Sequence, residues 1–227
     1  MGEVIEISSD ARTLKGYRAA PAGGGPGILV LHAWWGMTEM FTGLCDRLAA
    51  AGFVALVPDL YDGRTASTIA EAEVLVKSLF SRQEEAEAAV SAAAERLLRD
   101  PALTRPRIGG IGFSMGAGYL MGLVPHQPAL GAAVVFYGGG DLDAGLVRQT
   151  RVAILGHFAE KDDWEQPVEE TLRVQDELRG AGMDVTFHVY PGTGHWFFED
   201  NRADAYNGGA AQLAWDRTLQ FLWDNLG

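Results

Sequence analysis

The chain has 227 residues, 48% of them hydrophobic and 21% charged, and carries a formal net charge of −12. That composition is globular, and the length suits one sizeable core, so a single domain over residues 1–227 is expected. The acidic balance argues against nucleic acid or an anionic membrane surface as a partner, since both attract clustered Lys and Arg, and the lone Cys45 excludes an internal disulfide and any multi-cysteine metal site.

In chain order, "EVIEI" and "TLKGYRAA" read as two leading strands whose polar alternation suits an antiparallel edge. "PAGGGPG" (21–27) then reads as a strand-to-strand turn rather than a domain boundary. "GILVLH" (27–32), "FVALVPD" (53–59), "RIGGIGF" (107–113), "GAAVVFY" (131–137) and "RVAILGH" (151–157) are apolar almost throughout, as expected of strands covered on both faces. "VTFHVY" (185–190) follows them as a further strand. Amphipathic helical stretches lie between: "MFTGLCDRLAAAG", which places Cys45 in a packed position; "SRQEEAEAAVSAAAERLLRD", with Ser81 as candidate N-cap; "MGAGYLMGLV"; "EQPVEETLRVQDELRGAG"; and "AAQLAWDRTLQFLWDNLG". In the last, Leu213, Leu219, Phe221 and Leu222 are expected to share the core-facing side. The alternation implies an α/β fold, a mostly parallel sheet of about eight strands flanked by helices. The short run from Tyr137 to Arg151 leaves no room for a large cap domain. No apolar run reaches the roughly 20 residues of a membrane helix. "MGEVIEISSD" lacks the basic start and apolar stretch of a secretion signal, so a cytoplasmic protein is expected.

Ligands of such sheets bind beyond the carboxyl ends of the strands. There the stretch "RIGGIGFSMGAG" (107–118) is the most informative. It lacks the Gly-Lys pair of a phosphate-binding loop and misses the spacing of a dinucleotide fingerprint. It does contain G-x-S-x-G at Gly112–Gly116, between a strand and a helix, which is the context of a nucleophile elbow at Ser114. A serine nucleophile needs a base, and the base an orienting acid. "AEKDDW" offers Glu160, Asp162 and Asp163 after one strand, and "PGTGHWFFED" offers His195 after the next, in the order serine, acid, histidine. The main-chain N–H groups of Met115 and of Trp34, in "LHAWWGM", are the candidate oxyanion donors. His32 is expected to act as a hydrogen-bonding residue of that loop rather than as a base. His126, His157 and His188 lack metal-ligand spacing, so neither a metal nor a cofactor is expected.

These residues resemble the dienelactone hydrolase family of the α/β-hydrolase superfamily. The likeness runs over nearly the whole chain, through "LVLHAWWGM", "GFVALVPDLYDGR", "IGFSMGAG", "AEKDDW" and "GTGHWFFEDNRADAYNGGAAQLAWDRTLQFL". It implies a capless hydrolase with nucleophile, acid and base at Ser114, Asp162 and His195. Between Asp162 and Asp163 the family pattern favours the first. Three positions depart from the family's name-giving enzymes. Their nucleophile is a cysteine, where this chain has Ser114. Their thiolate-controlling glutamate is matched by Ala33. Of the two arginines that bind their substrate carboxylate, Arg64 lies near the first position and Glu199 stands at the second. A neutral small ester or lactone is therefore expected as substrate. Arg202 and Tyr206 are expected to support the histidine loop. Among the aromatics at strand ends (Trp34, Trp35, Tyr137, Trp164, Trp196 and Phe197), Trp35, Tyr137 and Trp196 are the candidates for lining the substrate pocket. A binding protein on a hydrolase scaffold, or a peptidase or acyl transferase using the same three residues, are the competing readings. Nothing in the sequence speaks to oligomeric state.

Overall fold

The computed structural model describes residues 2–9, 12–139 and 150–227. Its strands are β1 (Glu3–Ser8), β2 (Thr13–Ala19), β3 (Gly25–Leu31), β4 (Val54–Pro58), β5 (Leu103–Phe113), β6 (Leu130–Phe136), β7 (Ala153–Lys161) and β8 (Val185–Gly194). Its helices, among the described residues, are α1 (Glu39–Ala50), α2 (Ile69–Phe80), α3 (Gln83–Leu98), α4 (Met115–Leu123), α5 (Val168–Gly180) and α6 (Gly208–Leu226). The eight strands form one sheet in the order β1-β2-β4-β3-β5-β6-β7-β8. β1 pairs antiparallel with β2, and β2 with β4; β3–β4, β6–β7 and β7–β8 are parallel. This is the expected α/β architecture, and no large cap interrupts the described elements. Residues 140–149, which make up most of the short run from Tyr137 to Arg151, lie outside the described residues. No helix among the described residues is long and apolar enough to cross a membrane.

Contacts divide the chain into two units, Met1–Gly110 and Ile111–Gly227. In the first, β3 and β4 are buried at every position, which is why they read as continuous apolar runs. β1, on the edge, is mostly exposed, with Ile7 its one buried residue and Glu3 and Glu6 carrying charge that discourages pairing with another chain. Phe41, Leu44, Cys45 and Leu48 form the buried face of α1, and burial raises the Cys45 thiol far above its ordinary range. The buried stripe of α3 is mostly alanine (Ala86, Ala89, Ala93, Ala94). Arg18 on β2 grips Asp100 with two hydrogen bonds of 2.6 and 2.7 Å. Burial alone would raise the Asp100 carboxyl, but the bonds from Arg18 and the Ala102 N–H, with the Arg18 and Arg96 charges, hold it below its ordinary value.

One expectation at a helix end is corrected. Ser81 does not cap α3; it is the C-cap residue of α2, and its hydroxyl donates to the Ser78 carbonyl. The N-cap position of α3 belongs to Arg82, which makes no side-chain cap bond. Helix α2 is an additional element, not expected from the sequence. It begins with a capping box, in which the Thr68 hydroxyl accepts from the Glu71 N–H and the Glu71 carboxylate accepts from the Thr68 N–H.

In the second unit β6 is buried throughout, and α6 packs through Ala211, Ala214, Trp215, Thr218, Leu222 and Leu226. Of the four residues expected on that face, only Leu222 is fully buried; Leu213 is exposed, and Leu219 and Phe221 are half-buried. The true face is rotated towards two small alanines and one hydroxyl. Thr218 bonds to Nε2 of the buried His157, whose Nδ1 meets the Tyr190 hydroxyl. A buried polar group without such partners is costly, so the hydrogen-bonded threonine took a position that hydropathy assigns to a leucine.

Candidate active site

Ser114, Asp162 and His195 all belong to the second unit, and each follows the end of a strand. β7 and β8 run parallel, with Lys161 in register with Gly194, so the next residues, Asp162 and His195, emerge side by side. Both oxygens of Asp162 face the His195 Nδ1, at 2.9 and 2.8 Å. The opposite nitrogen, Nε2, lies 2.9 Å from the Ser114 Oγ. Asp162 is further held by the Trp164 N–H at 3.0 Å. The Asp162 and His195 side chains are almost wholly buried, whereas Asp163 is exposed. The structure therefore brings Asp162, not Asp163, to His195.

The backbone at Ser114 is strained. Its φ is 50° and ψ −115°, a left-handed region that side chains rarely adopt. Two glycines make the turn possible. A Cβ on Gly112 would lie 2.6 Å from both the Ala117 Cα and the Gly116 carbonyl oxygen. A Cβ on Gly138 would lie 2.6 Å from the Ser114 carbonyl oxygen and 2.9 Å from its Cα. The first glycine belongs to the motif read from the sequence; the second, beyond β6, was not foreseen. Ser114 occupies the N-cap position of α4 and Met115 its first helical residue, so the positive end of the helix faces the serine. Of the four described non-glycine residues with positive φ, three are Ser114, Tyr137 and Trp196, so backbone strain concentrates around the serine and histidine.

Tyr137 is buried, its ring 4.9 Å from the His195 imidazole, and its hydroxyl donates to the Glu199 Oε1 at 2.8 Å. Trp196 is buried with its ring edge-on to His195 at 4.8 Å, covered by the Arg202 guanidinium and flanked by the half-exposed Trp164. Tyr206 is exposed. In the first unit, Trp34 is half-buried and in edge contact with the buried Trp35. Arg64 is exposed, and its Nε donates to the Tyr61 carbonyl. His32 is buried, with Nδ1 2.7 Å from the Ala33 oxygen and Nε2 accepting from the Leu60 N–H at 3.3 Å. That makes it a loop tie, held neutral because burial lowers its pKa.

The family model described as "Dienelactone hydrolase family" matches residues 14–226. The chain belongs to the dienelactone hydrolase family. It is 32% identical over 231 residues to "Protein usf" of Aquifex pyrophilus, covering 100% of both chains. It is 30% identical over 227 residues to a "Putative carboxymethylenebutenolidase" of Aquifex aeolicus, covering 98% of both. Among solved structures, a "Putative Dienelactone Hydrolase" from Klebsiella pneumoniae superposes with a TM-score of 0.83 at 25% identity, over 98% of this chain and 99% of that one.

The neutral substrate expected from the sequence rests on Glu199 standing where a carboxylate-binding arginine is anticipated. Glu199 is completely buried, and its Oε2 has no hydrogen-bond partner among the described residues. Burial pushes its carboxyl up to about 8, against the opposing Tyr137 hydrogen bond and Arg202 charge and with help from Asp200. Burial thus favours the protonated, neutral form of the carboxyl, and in either form Glu199 supplies no cation at that position. The stability consequence has a definite sign. The folded chain keeps this proton where the unfolded chain releases it, so the contribution of Glu199 is best below about 4.5 and is lost as pH rises to about 8. Glu199→Gln removes the dependence. In urea titrations the variant should gain on the wild type by up to about 1.4 kcal/mol per pH unit across that window. A difference that stays constant between about pH 5 and pH 8 would contradict the protonated, buried state.

Proposed function

We propose that the protein is a serine hydrolase that cleaves small carboxylic esters or lactones through an acyl-enzyme. The observation that carries this reading is the unbroken line from Asp162 through His195 to Ser114, with Ser114 held at a positive φ. His195 Nε2 takes the Ser114 proton as Oγ attacks the carbonyl carbon, and the carbonyl electrons move onto oxygen. The Met115 N–H and the α4 N-terminus stabilise that oxyanion; the second donor we assign, on the sequence pattern alone, to the Trp34 N–H. The intermediate collapses, the imidazolium gives its proton to the departing alkoxide, and Ser114 carries the acyl group. Water, deprotonated by the same Nε2, releases the acid. Asp162 keeps Nδ1 protonated and stabilises the imidazolium in both halves.

The substrate class rests on two supports. A relative bears the name carboxymethylenebutenolidase, a butenolide being a cyclic ester. The buried Glu199 supplies no cation for an acidic substrate, which favours an uncharged ester or lactone. Initial rates on p-nitrophenyl acetate, longer p-nitrophenyl esters, simple lactones and short peptides test the reading. Turnover of short esters or lactones without peptide cleavage is expected. Peptide cleavage alone, or no turnover of any member, would reject it.

A further inference from the structure

The triad does not explain why a carboxyl group is buried beside it. Glu199 lies in the turn after His195, with its N–H bonded to the Trp196 carbonyl and its own carbonyl accepting from Arg202. Its Oε1 reaches out of that turn to the Tyr137 hydroxyl at the end of β6. Tyr137 is anchored to β7, donating its N–H to the His157 carbonyl at 2.8 Å, and its φ of 36° is a strained value for a tyrosine. The next residue, Gly138, packs directly on the Ser114 backbone, which itself donates its N–H to the Phe136 carbonyl. The contacts thus close on themselves, from Ser114 to Gly138 and Tyr137, across to Glu199, back along the turn to His195, and from its Nε2 to Ser114. Among the described residues the Glu199–Tyr137 bond adds a directional side-chain hydrogen bond to the ring contacts that Tyr137 makes with His195 and Phe197 and Phe136 makes with Phe198.

We propose that Glu199 is a positioning residue, whose hydrogen bond with Tyr137 ties the histidine turn to the end of β6 and so sets His195 against Ser114. The group acts through Tyr137, not on substrate. The Tyr137 ring, 4.9 Å from the imidazole and tilted by 57°, is the surface against which His195 rests. The charged groups around the pair are Asp162 at the end of β7 and Asp200 and Arg202 in the turn; a neutral Glu199 can hold the tyrosine without setting a charge against Asp162. A leucine at 199 fills similar volume and loses the bond, whereas a glutamine keeps an oxygen for it.

The kinetic part rests on the serine hydrolase reading, and a second measurement does not. In the full chain, Glu199→Leu and Tyr137→Phe should each lower kcat for p-nitrophenyl acetate about tenfold or more, because small misplacements of a catalytic base are costly, while KM stays within about twofold. The double variant should be no worse than either single one, since both cut the same bond. Glu199→Gln should return kcat to within about threefold of wild type. Independently of turnover, the low-field proton signal of the His195 Nδ1–H should persist in wild type and Glu199→Gln and be lost or displaced in Glu199→Leu. Tyr137→Phe serves in the same way if Glu199→Leu does not fold. A folded Glu199→Leu with wild-type kcat and an unchanged proton signal overturns the proposal. So does a Glu199→Gln variant as impaired as Glu199→Leu. If the wild type hydrolyses no ester, the hydrolase reading fails, and the proton signal alone decides the positioning role.

Discussion

Replacing Ser114 with alanine is expected to lower kcat for p-nitrophenyl acetate by about ten-thousandfold or more while leaving the fold intact. The serine is half-buried, and its hydroxyl bonds to the His195 Nε2, so stability should change by no more than about 1 kcal/mol. Asp162→Asn should lose activity on a comparable scale. An amide cannot stabilise the imidazolium, and it can present its own N–H to Nδ1 and reverse the tautomer. The losses will not add. Once Ser114 is gone, His195 has no proton to take, so Ser114→Ala/His195→Ala should be no slower than Ser114→Ala alone. Circular dichroism and thermal melts establish that each variant is folded. Wild-type-like turnover by folded Ser114→Ala would place the nucleophile elsewhere.

Gly138→Ala is expected to reduce kcat about a hundredfold without touching any group that does chemistry. The added methyl would sit 2.6 Å from the Ser114 carbonyl oxygen, 2.9 Å from its Cα and 3.0 Å from its carbonyl carbon. All three are backbone atoms, so no side-chain rotation relieves the contact, and Ser114 must move. Shifts of an ångström or less at a reacting atom cost on this order. Overpacking of this kind also destabilises by about 1–3 kcal/mol. Gly122→Ala is the matched control. It lies in the same α4 that Ser114 opens, and a methyl there meets nothing within 4 Å. It should leave kcat unchanged and stabilise the helix by about 0.5–1 kcal/mol. Similar kinetics for the two alanine variants would show that the Gly138 contact does not position the serine.

The sequence made the strands and the clustering of Ser114, Asp162 and His195 legible for the same reason. Strands buried on both faces must be apolar throughout, and in a parallel sheet the residues after such runs gather at one end. Ser114, Asp162 and His195 could therefore be found from position and order. Other features were readable but passed over. Thr68 and Glu71 carry the T-x-x-E spacing of a capping box, which would have announced α2 and freed Ser81 from its supposed role at the start of α3. The buried face of α6 was misjudged because hydropathy ranks Leu213 above Thr218, and only the partner His157 explains the threonine. The Tyr137–Glu199 bond spans 62 residues, and the Gly138 contact joins two separate strand ends, so no local pattern announces either. Glu199 was noticed as an acid where an arginine was anticipated. Its burial, which favours the protonated form, required the fold.

The most direct measurement of the central claim is covalent labelling of the folded wild type with a fluorophosphonate, followed by peptide mapping by mass spectrometry. The expected result is one adduct per chain, on Ser114, formed in proportion to the loss of ester hydrolysis and absent from Ser114→Ala and His195→Ala. An unmodified Ser114 in protein that still hydrolyses esters, or inactivation that tracks an adduct on another residue, would contradict it.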